Sequence, residues 1–185
     1  MSHGSYLQPP ACNLQPVTSS LAPMPEHFHV RLEKEYLIFS AAHFITYNGD
    51  ICERLHGHNY CVSAEVHGPL DENHYVVDFI ALRDTLKALT DELDHRMLLP
   101  TGHPLIKVTP NGESIEVTFR DRRWVFPRGD CVQLPVPNTT AELLARYLAV
   151  RLRDALTART GAKFHRIRIG VDENHGQWGV CDLVE

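Results

Sequence analysis

Residues 52–68 read Cys52-Glu-Arg-Leu-His56-Gly-His58-Asn-Tyr-Cys-Val-Ser-Ala-Glu-Val-His-Gly68. From Asn59 onward apolar and polar residues alternate, which predicts a β-strand with one buried face. Successive side chains of a strand point to opposite faces, so two imidazoles one residue apart share a face. His56 and His58 could therefore bind one metal ion.

A third histidine stands upstream in Phe39-Ser-Ala-Ala-His43-Phe, a short apolar stretch that also predicts a strand. An antiparallel hairpin between the two segments would bring His43 next to the histidine pair. Three imidazoles without a fourth protein ligand are typical of a catalytic zinc site, whose open position takes water or substrate. The alternative is a chance pattern, because the chain has twelve histidines and a lone His-x-His is commonly an ordinary strand feature.

Cys52 lies four residues before His56, and a nearby cation can lower the pKa of such a thiol. The chain has five cysteines, an odd number without a Cys-x-x-Cys pair, which predicts reduced thiols in a reducing compartment. The other four are expected to behave as small buried hydrophobes: Cys12, Cys61, Cys131 and Cys181.

Composition narrows the classes of protein that fit. At 185 residues with 43% apolar residues, the chain is long enough for one globular domain with a real core. A formal charge of −5 disfavours nucleic acid or an anionic membrane as a partner. No apolar run approaches the ~18 residues of a spanning helix, and the start lacks a signal-peptide pattern. We therefore expect a soluble, cytoplasmic protein.

Residues 1–27 contain closely spaced prolines and show no periodicity, so they predict a flexible tail ahead of a single domain over residues 28–185. The first two strands lead into a helix that begins after Asp78. Four leucines form one apolar stripe on this helix: Leu82, Leu86, Leu89 and Leu93.

The helix leads into Asp94-His95. This pair is either an acid that orients a histidine or simply a histidine at a helix C-terminus, where its charge favours the dipole. Residues 102–136 then change pattern, and alternation on both sides of residues 120–123 predicts an inserted hairpin, with which Cys131-Val-Gln-Leu134 could pair.

A second helix opens at Asn138-Thr139-Thr140-Ala-Glu142, where Thr139 and Glu142 have the capping-box spacing. Two final strands follow, around a polar turn at residues 172–176. The order predicts an α+β domain: a four-stranded antiparallel sheet with two helices on one face, plus the inserted hairpin. Such a sheet has two open edges, which natural proteins often pair with another subunit, so we expect a homo-oligomer.

Taken together, these motifs resemble the 6-pyruvoyltetrahydropterin synthase and 6-carboxytetrahydropterin synthase family, which has the tunnelling fold (T-fold). The resemblance spans about residues 30–100 and 137–180. It depends on the ordered set of motifs: Phe39-Ser-Ala-Ala-His43, Cys52-x-x-x-His56-Gly-His58-Asn-Tyr, Val77-Asp78-Phe79, Leu93-Asp94-His95, Asn138-Thr-Thr-Ala-Glu142, and Glu173 with Trp178 five residues on.

The resemblance implies a trimer or hexamer with active sites at subunit interfaces and a pterin triphosphate as substrate. It also implies a role for each group of residues: zinc on His43, His56 and His58; Cys52 as general base; Asp94 and His95 as a supporting acid/base pair; and substrate binding by Glu173, Thr139, Thr140 and Glu142. The residue types suit this chemistry. Zinc can polarise an oxygen, a thiolate or histidine can move a proton, and a carboxylate can accept the paired N–H donors of a pterin ring.

Within the family, the three-residue gap between Cys52 and His56 is similar to the bacterial carboxy-type enzyme of the queuosine and deazapurine pathway. The implied reaction converts 7,8-dihydroneopterin triphosphate to 6-carboxy-5,6,7,8-tetrahydropterin. The alternatives are a 6-pyruvoyltetrahydropterin synthase, a non-catalytic pterin-binding protein, and a zinc hydrolase of another class, against which the lack of a His-Glu-x-x-His helix speaks. For the pterin anchor, Asp172 is the alternative to Glu173.

Overall fold

A computed structural model describes residues 25–184, so most of the predicted N-terminal tail, with Cys12, lies outside the described residues. The first strands are β1 (Phe28–His43), β2 (Thr46–Tyr47), β3 (Ile51–Cys52), β4 (His56–Gly68) and β5 (Arg96–Pro100). The later strands are β6 (Lys107–Asn111), β7 (Ser114–Phe119), β8 (Arg122–Pro127), β9 (Cys131–Leu134), β10 (Arg166–Asp172) and β11 (Trp178–Val184). The helices are α1 (Phe79–Asp91) and α2 (Ala141–Thr160), with a 3₁₀ turn at Arg128–Asp130.

The main sheet has six strands in the order β11-β10-β4-β1-β5-β9. The first four are antiparallel, as predicted, and form the α+β core of the fold. The last two extend the sheet in parallel. The prediction that residues 131–134 pair with the inserted hairpin is therefore wrong. Their ladder runs along β5, where Leu98 and Leu134 contribute to the main core.

Both helices pack on one face of this sheet. The inward residues of β4 are fully buried or nearly so: Tyr60, Val62, Ala64 and Val66. The predicted leucine stripe is buried as well, although α1 ends at Asp91 and Leu93 follows in a turn. Helix α1 begins directly after Asp78, as predicted, and the Asp78 side chain caps it by accepting a hydrogen bond from the Ala81 N–H at 2.7 Å. Neither described helix is long and apolar enough to cross a membrane.

The start of α2 differs from the predicted capping box. The cap position is Thr140 rather than Thr139, and its side chain makes no capping hydrogen bond. Close packing holds this end of the helix instead. A Cβ placed on Gly179 of β11 would lie 2.5 Å from the Glu142 backbone nitrogen, so glycine is needed where the strand passes under the helix.

The inserted segment forms a separate three-stranded antiparallel sheet, β6-β7-β8, rather than a simple hairpin. Its inward residues Ile115, Val117 and Phe119 are buried in a second apolar cluster with Phe44 and Leu99. This explains why β5 is buried on both faces: the helices cover Leu98 on one side and the inserted sheet covers Leu99 on the other.

Candidate metal centre

Four side chains converge where β1 ends and β4 begins. His43, His56, His58 and Glu173 each offer one ligand atom, and these atoms all lie within 4.8 Å of one another. Strand register explains the arrangement, because His43 is paired directly with His56 and His58 lies two residues further on the same face. The structure thus brings together the three histidines that the sequence singled out, and adds a carboxylate.

Backbone carbonyls fix the orientation of two of these rings. His43 Nδ1 lies 2.9 Å from the Thr139 carbonyl oxygen, and His56 Nδ1 lies 2.8 Å from that of Arg54. A carbonyl can only accept, so each Nδ1 donates its proton and each Nε2 turns toward the cluster. The two Nε2 atoms are 3.2 Å apart. Hydrogen bonds of this kind from the outer nitrogen orient histidines that ligate metals.

The cluster fits a cation. His58 Nε2 is buried and has no hydrogen-bond partner in the described part of the chain. Burial is the main cause that lowers the pKa of His58, which favours the neutral, metal-binding form. Lone pairs directed at one point without a donor between them are stabilised by a shared positive ion, and imidazole with carboxylate is a common zinc ligand set.

Glu173 lies inside this cluster, directly after β10. Its Oε1 is 3.2 Å from His43 Nε2 and 3.3 Å from His58 Nε2. The close contact with the His43 imidazole is the main cause that lowers the pKa of the Glu173 carboxyl group. Asp172, the alternative anchor, is engaged elsewhere, since its carboxylate accepts hydrogen bonds from the backbone of residues 174, 176 and 177. Asp172 therefore shapes the turn and leaves Glu173 to face the cluster.

Cys52, at the end of β3, lies outside the four-residue cluster. Its Sγ donates weakly to the Glu53 carbonyl oxygen at 3.5 Å. Burial raises the pKa of the Cys52 thiol, and the positive charge of Arg122 acts in the opposite direction. The expected lowering of this pKa by a metal ion stays a prediction.

Glu53 was not among the predicted site residues, yet its Oε2 lies 3.8 Å from His56 Nε2. The sequence feature that could have indicated Glu53 is its position three residues before His56. Glu53 lies in the short connection between β3 and β4, and His56 is the first residue of β4, so the carboxylate approaches the cluster without being on a strand.

Asp94 and His95 form a hydrogen-bonded pair beside the C-terminal part of β1. Asp94 accepts from the Ser40 N–H at 2.7 Å and from His95 Nδ1 at 2.9 Å, and the Ser40 hydrogen bond is the main cause that lowers the Asp94 pKa. The interpretation of His95 as a helix C-terminal histidine is wrong, because α1 ends at Asp91 and His95 lies in a turn with φ 56°. Its side chain is 83% exposed and lies outside the metal cluster.

His95 lines a groove that one residue of the cluster, His58, also lines. The groove has a volume of about 530 Å³, and its lining includes His58, Asn59 and Phe126 as well as His95. A substrate that reached the cluster through this groove would pass the Asp94–His95 pair. His95 and His58 therefore border one space, although the His95 imidazole is not a candidate ligand.

The three residues predicted to bind substrate on the α2 side have different environments. Thr139 is fully buried, and its hydroxyl donates to the Phe44 carbonyl oxygen at 3.2 Å. Because its own carbonyl accepts from His43, Thr139 supports a candidate ligand. Thr140 is half-buried at the helix cap and Glu142 is exposed in the first turn. Their part in substrate binding stays a prediction.

Comparison with known proteins agrees with this geometry. The sequence pattern of the family described as 6-pyruvoyl tetrahydropterin synthase matches residues 32–182. A protein of Methanocaldococcus jannaschii that bears the name 6-carboxy-5,6,7,8-tetrahydropterin synthase is 32% identical over 146 residues, which cover 78% of this chain and 88% of that one.

Solved structures are similar over the whole fold. The 6-pyruvoyl tetrahydropterin synthase of Plasmodium falciparum superposes with a TM-score of 0.79 at 30% identity, covering 87% of this chain and all of that one. The Plasmodium vivax enzyme, in a form described as a catalytic residue mutant with glutamate replaced by alanine, gives 0.78 at 25% identity with the same coverage. The chain therefore belongs to the 6-pyruvoyl tetrahydropterin synthase family and has its T-fold.

Proposed function

We propose that this protein is a zinc-dependent synthase that converts 7,8-dihydroneopterin triphosphate and water to 6-carboxy-5,6,7,8-tetrahydropterin, triphosphate and acetaldehyde. The observation that carries the proposal is the convergence of three imidazoles and Glu173 within 4.8 Å. The Methanocaldococcus relative, whose name specifies the carboxy-type product, supports the choice of reaction. We expect the protein to be cytoplasmic, in keeping with the free thiols of all four described cysteines.

The residues divide the chemistry between them. His43, His56 and His58 would hold the zinc, which when bound supplies a Lewis acid for an oxygen of the substrate side chain. Asp94 would hold the His95 imidazole by its Nδ1, leaving Nε2 to exchange a proton with the substrate. Glu173 would accept the paired N–H donors of the pterin ring once substrate draws its carboxylate away from the histidines.

Two side chains qualify as the base that removes a proton from the substrate carbon. Cys52 is the candidate that the sequence favours, although burial raises the pKa of its thiol. Glu53 has a carboxylate near His56, and a glutamate is the replaced catalytic residue in the Plasmodium vivax relative. We assign the base to Cys52 and keep Glu53 as the second candidate.

A 6-pyruvoyltetrahydropterin synthase is the alternative function, because the similar solved structures from both Plasmodium species bear that name. It would remove triphosphate without breaking a carbon–carbon bond, so no acetaldehyde would form. A non-catalytic pterin-binding protein would need the same cavity but neither the thiol nor the Asp94–His95 pair. Both alternatives therefore make a different prediction about products.

Product analysis tests the function. Zinc-loaded protein is incubated with 7,8-dihydroneopterin triphosphate, and we expect 6-carboxytetrahydropterin by mass spectrometry with an equal amount of trapped acetaldehyde. His58→Ala should bind less zinc and make little product, whereas the distant His27→Ala should match the unmodified protein. A pyruvoyl product without acetaldehyde would move the assignment to the alternative, and no turnover with tight pterin binding would leave a binding protein.

A further inference from the structure

The inserted sheet reaches back to the hairpin that carries Cys52. Arg122, the first residue of β8, donates through Nη1 to the Cys52 carbonyl oxygen at 2.7 Å. Arg120, in the turn before it, forms an ion pair with Asp50 at 2.7 Å. One contact is to the backbone of the candidate base and the other to the tip of its hairpin. The insertion is therefore in contact with the candidate catalytic segment, although it stands apart in sequence.

The side chain of Arg122 is itself held in place. Its guanidinium carbon lies 4.6 Å from the centre of the Trp124 ring, a cation–π distance. Trp124 in turn stacks on Phe44 with ring centres 4.7 Å apart. Phe44 is fully buried and directly follows His43, a candidate ligand. Arg122 thus rests on a platform that is anchored beside the metal centre.

Besides Arg122, the Cys52 segment is held by a short strand pairing and by one backbone hydrogen bond, from the Glu53 N–H to the Ile45 carbonyl oxygen at 2.9 Å. Strands β2 and β3 form only two residue pairs, Thr46 with Cys52 and Tyr47 with Ile51. A ladder this short is not stable by itself in water. Asn138 holds the β2 side, since its Nδ2 donates to the Thr46 carbonyl oxygen at 2.9 Å. The charge-assisted bond from Arg122 is the matching support on the β3 side.

We propose that Arg122 is a positioning residue, through which the inserted sheet fixes the Cys52-Glu53 backbone relative to the candidate metal centre. The proposal rests on the proposed function only in taking Cys52 or Glu53 as the base. The positive charge of Arg122 also lowers the Cys52 pKa, which burial raises. Any displacement of this backbone would move both candidate bases together, because Glu53 is the next residue in the chain.

The test compares Arg122→Met with Arg122→Lys. Methionine keeps an apolar chain on Trp124 but removes the charge and every donor. We expect the pH midpoint of Cys52 alkylation by iodoacetamide, followed on its own peptide by mass spectrometry, to rise by up to about one unit in Arg122→Met. We also expect kcat to fall roughly ten- to hundredfold with little change in KM, as for a displaced catalytic group. Lysine, which keeps one charged donor, should restore most of both.

Arg123→Met is the matched control. Arg123 is the next residue of β8, points to the other face and pairs with Glu116 at 2.7 Å, so its loss should change neither readout. Equal behaviour of the Arg122→Met and Arg123→Met proteins would overturn the proposal. If Arg122→Met does not fold, Arg122→Gln, neutral but still a donor, takes its place in the alkylation assay. Alkylation needs neither zinc nor pterin, so a shifted midpoint in a protein without synthase activity would refute the function and leave this inference standing.

Discussion

Two candidate proton acceptors, Cys52 and Glu53, are adjacent in the chain, and their side chains lie in different environments. The Cys52 thiol is half-buried against the second apolar cluster, an environment that raises its pKa. The Glu53 carboxylate instead faces the imidazole of His56. A general base must reach the substrate proton and must also be deprotonated when it does so. A bound cation would help Cys52 with the second requirement.

Substitution of each residue separates the candidates. We expect Cys52→Ala to keep zinc and fold yet lose about 10²–10⁴-fold in kcat, the usual contribution of a general base. Glu53→Gln should lose less than about tenfold, since it only removes a charge near His56. Rates of product formation at saturating substrate are the measurement, with Cys61→Ala as the control on a neighbouring strand. The reverse order of losses would assign the base to Glu53.

The two roles proposed for Glu173 exclude each other at any moment, because a carboxylate that lies against His43 and His58 cannot also bind the pterin ring. We expect Glu173→Gln to retain one zinc per chain through the three imidazoles and to raise KM roughly ten- to hundredfold, from a loss of about 1.5–3 kcal/mol per charged hydrogen bond. Glu116→Gln in the inserted sheet is the control. A large loss of zinc from Glu173→Gln, measured by metal analysis, would instead make the carboxylate a required ligand.

At the scale of single residues, strand period accounts for what the sequence could predict. His43, His56 and His58 lie on strands, so pairing and alternation were enough to bring them together. Glu53 and the carboxylate of Glu173 lie in turns, where no period relates position to direction. Their approach to the cluster depends on backbone paths that only the folded chain defines.

At the scale of elements, the antiparallel strands and the two helices followed from apolar periodicity, but strand partners did not. Residues 131–134 are too short to show which ladder they join, and they pair with β5 because the inserted sheet and the helices bury that strand on both faces. The end of α1 could not be predicted either, because Leu93 continues the apolar stripe although it lies beyond the last residue of the helix. The strand partner of residues 131–134 and the end of α1 both depend on tertiary burial rather than on the local sequence pattern.

The open face of the main sheet carries an ion-pair group that spans β10 and β11 and predicts a pH-dependent stability. Asp182 accepts from Arg168 at 2.9 Å and from Arg166 at 2.7 Å, which lowers the pKa of Asp182 to about 2. The pKa of an unfolded aspartate is about 3.9, so the folded state binds the proton less tightly and gains stability from the ionised form above that pH. The gain is lost as the pH falls from about 4 to about 2.

We expect Asp182→Asn to lower the free energy of unfolding by about 1 kcal/mol at pH 7, a value below the full linkage energy because solvent screens a side chain that is a third exposed. The difference should shrink to roughly half at pH 3. Urea unfolding at pH 7, 5 and 3 measures it. Asp154→Asn, which removes an exposed ion pair with Arg153, is the control and should change little. A difference that stays constant with pH would contradict the assigned cause.

At the scale of the whole molecule, a single copy of the chain leaves an apolar strand surface exposed to solvent. The edge strand β11 exposes apolar side chains, with Trp178 at 41%, Val180 at 47% and Val184 at 72% exposure. Open strand edges with apolar side chains are commonly paired with another chain. His95 is also exposed, away from the cluster that it is predicted to serve. We therefore predict a homo-oligomer in which one copy's Asp94–His95 pair faces another copy's candidate metal centre.

Complementation between inactive chains tests this arrangement. Cys52→Ala and His95→Ala proteins should each be nearly inactive alone. If a site combines Cys52 of one copy with His95 of the next, then co-expression of the two variants in equal amounts should assemble intact sites at about a quarter of positions and restore activity in that proportion. The same variants expressed separately and mixed without subunit exchange are the control. If co-expressed chains form mixed oligomers by mass spectrometry but stay inactive, both residues must act within one chain, across the groove that His58 and His95 share.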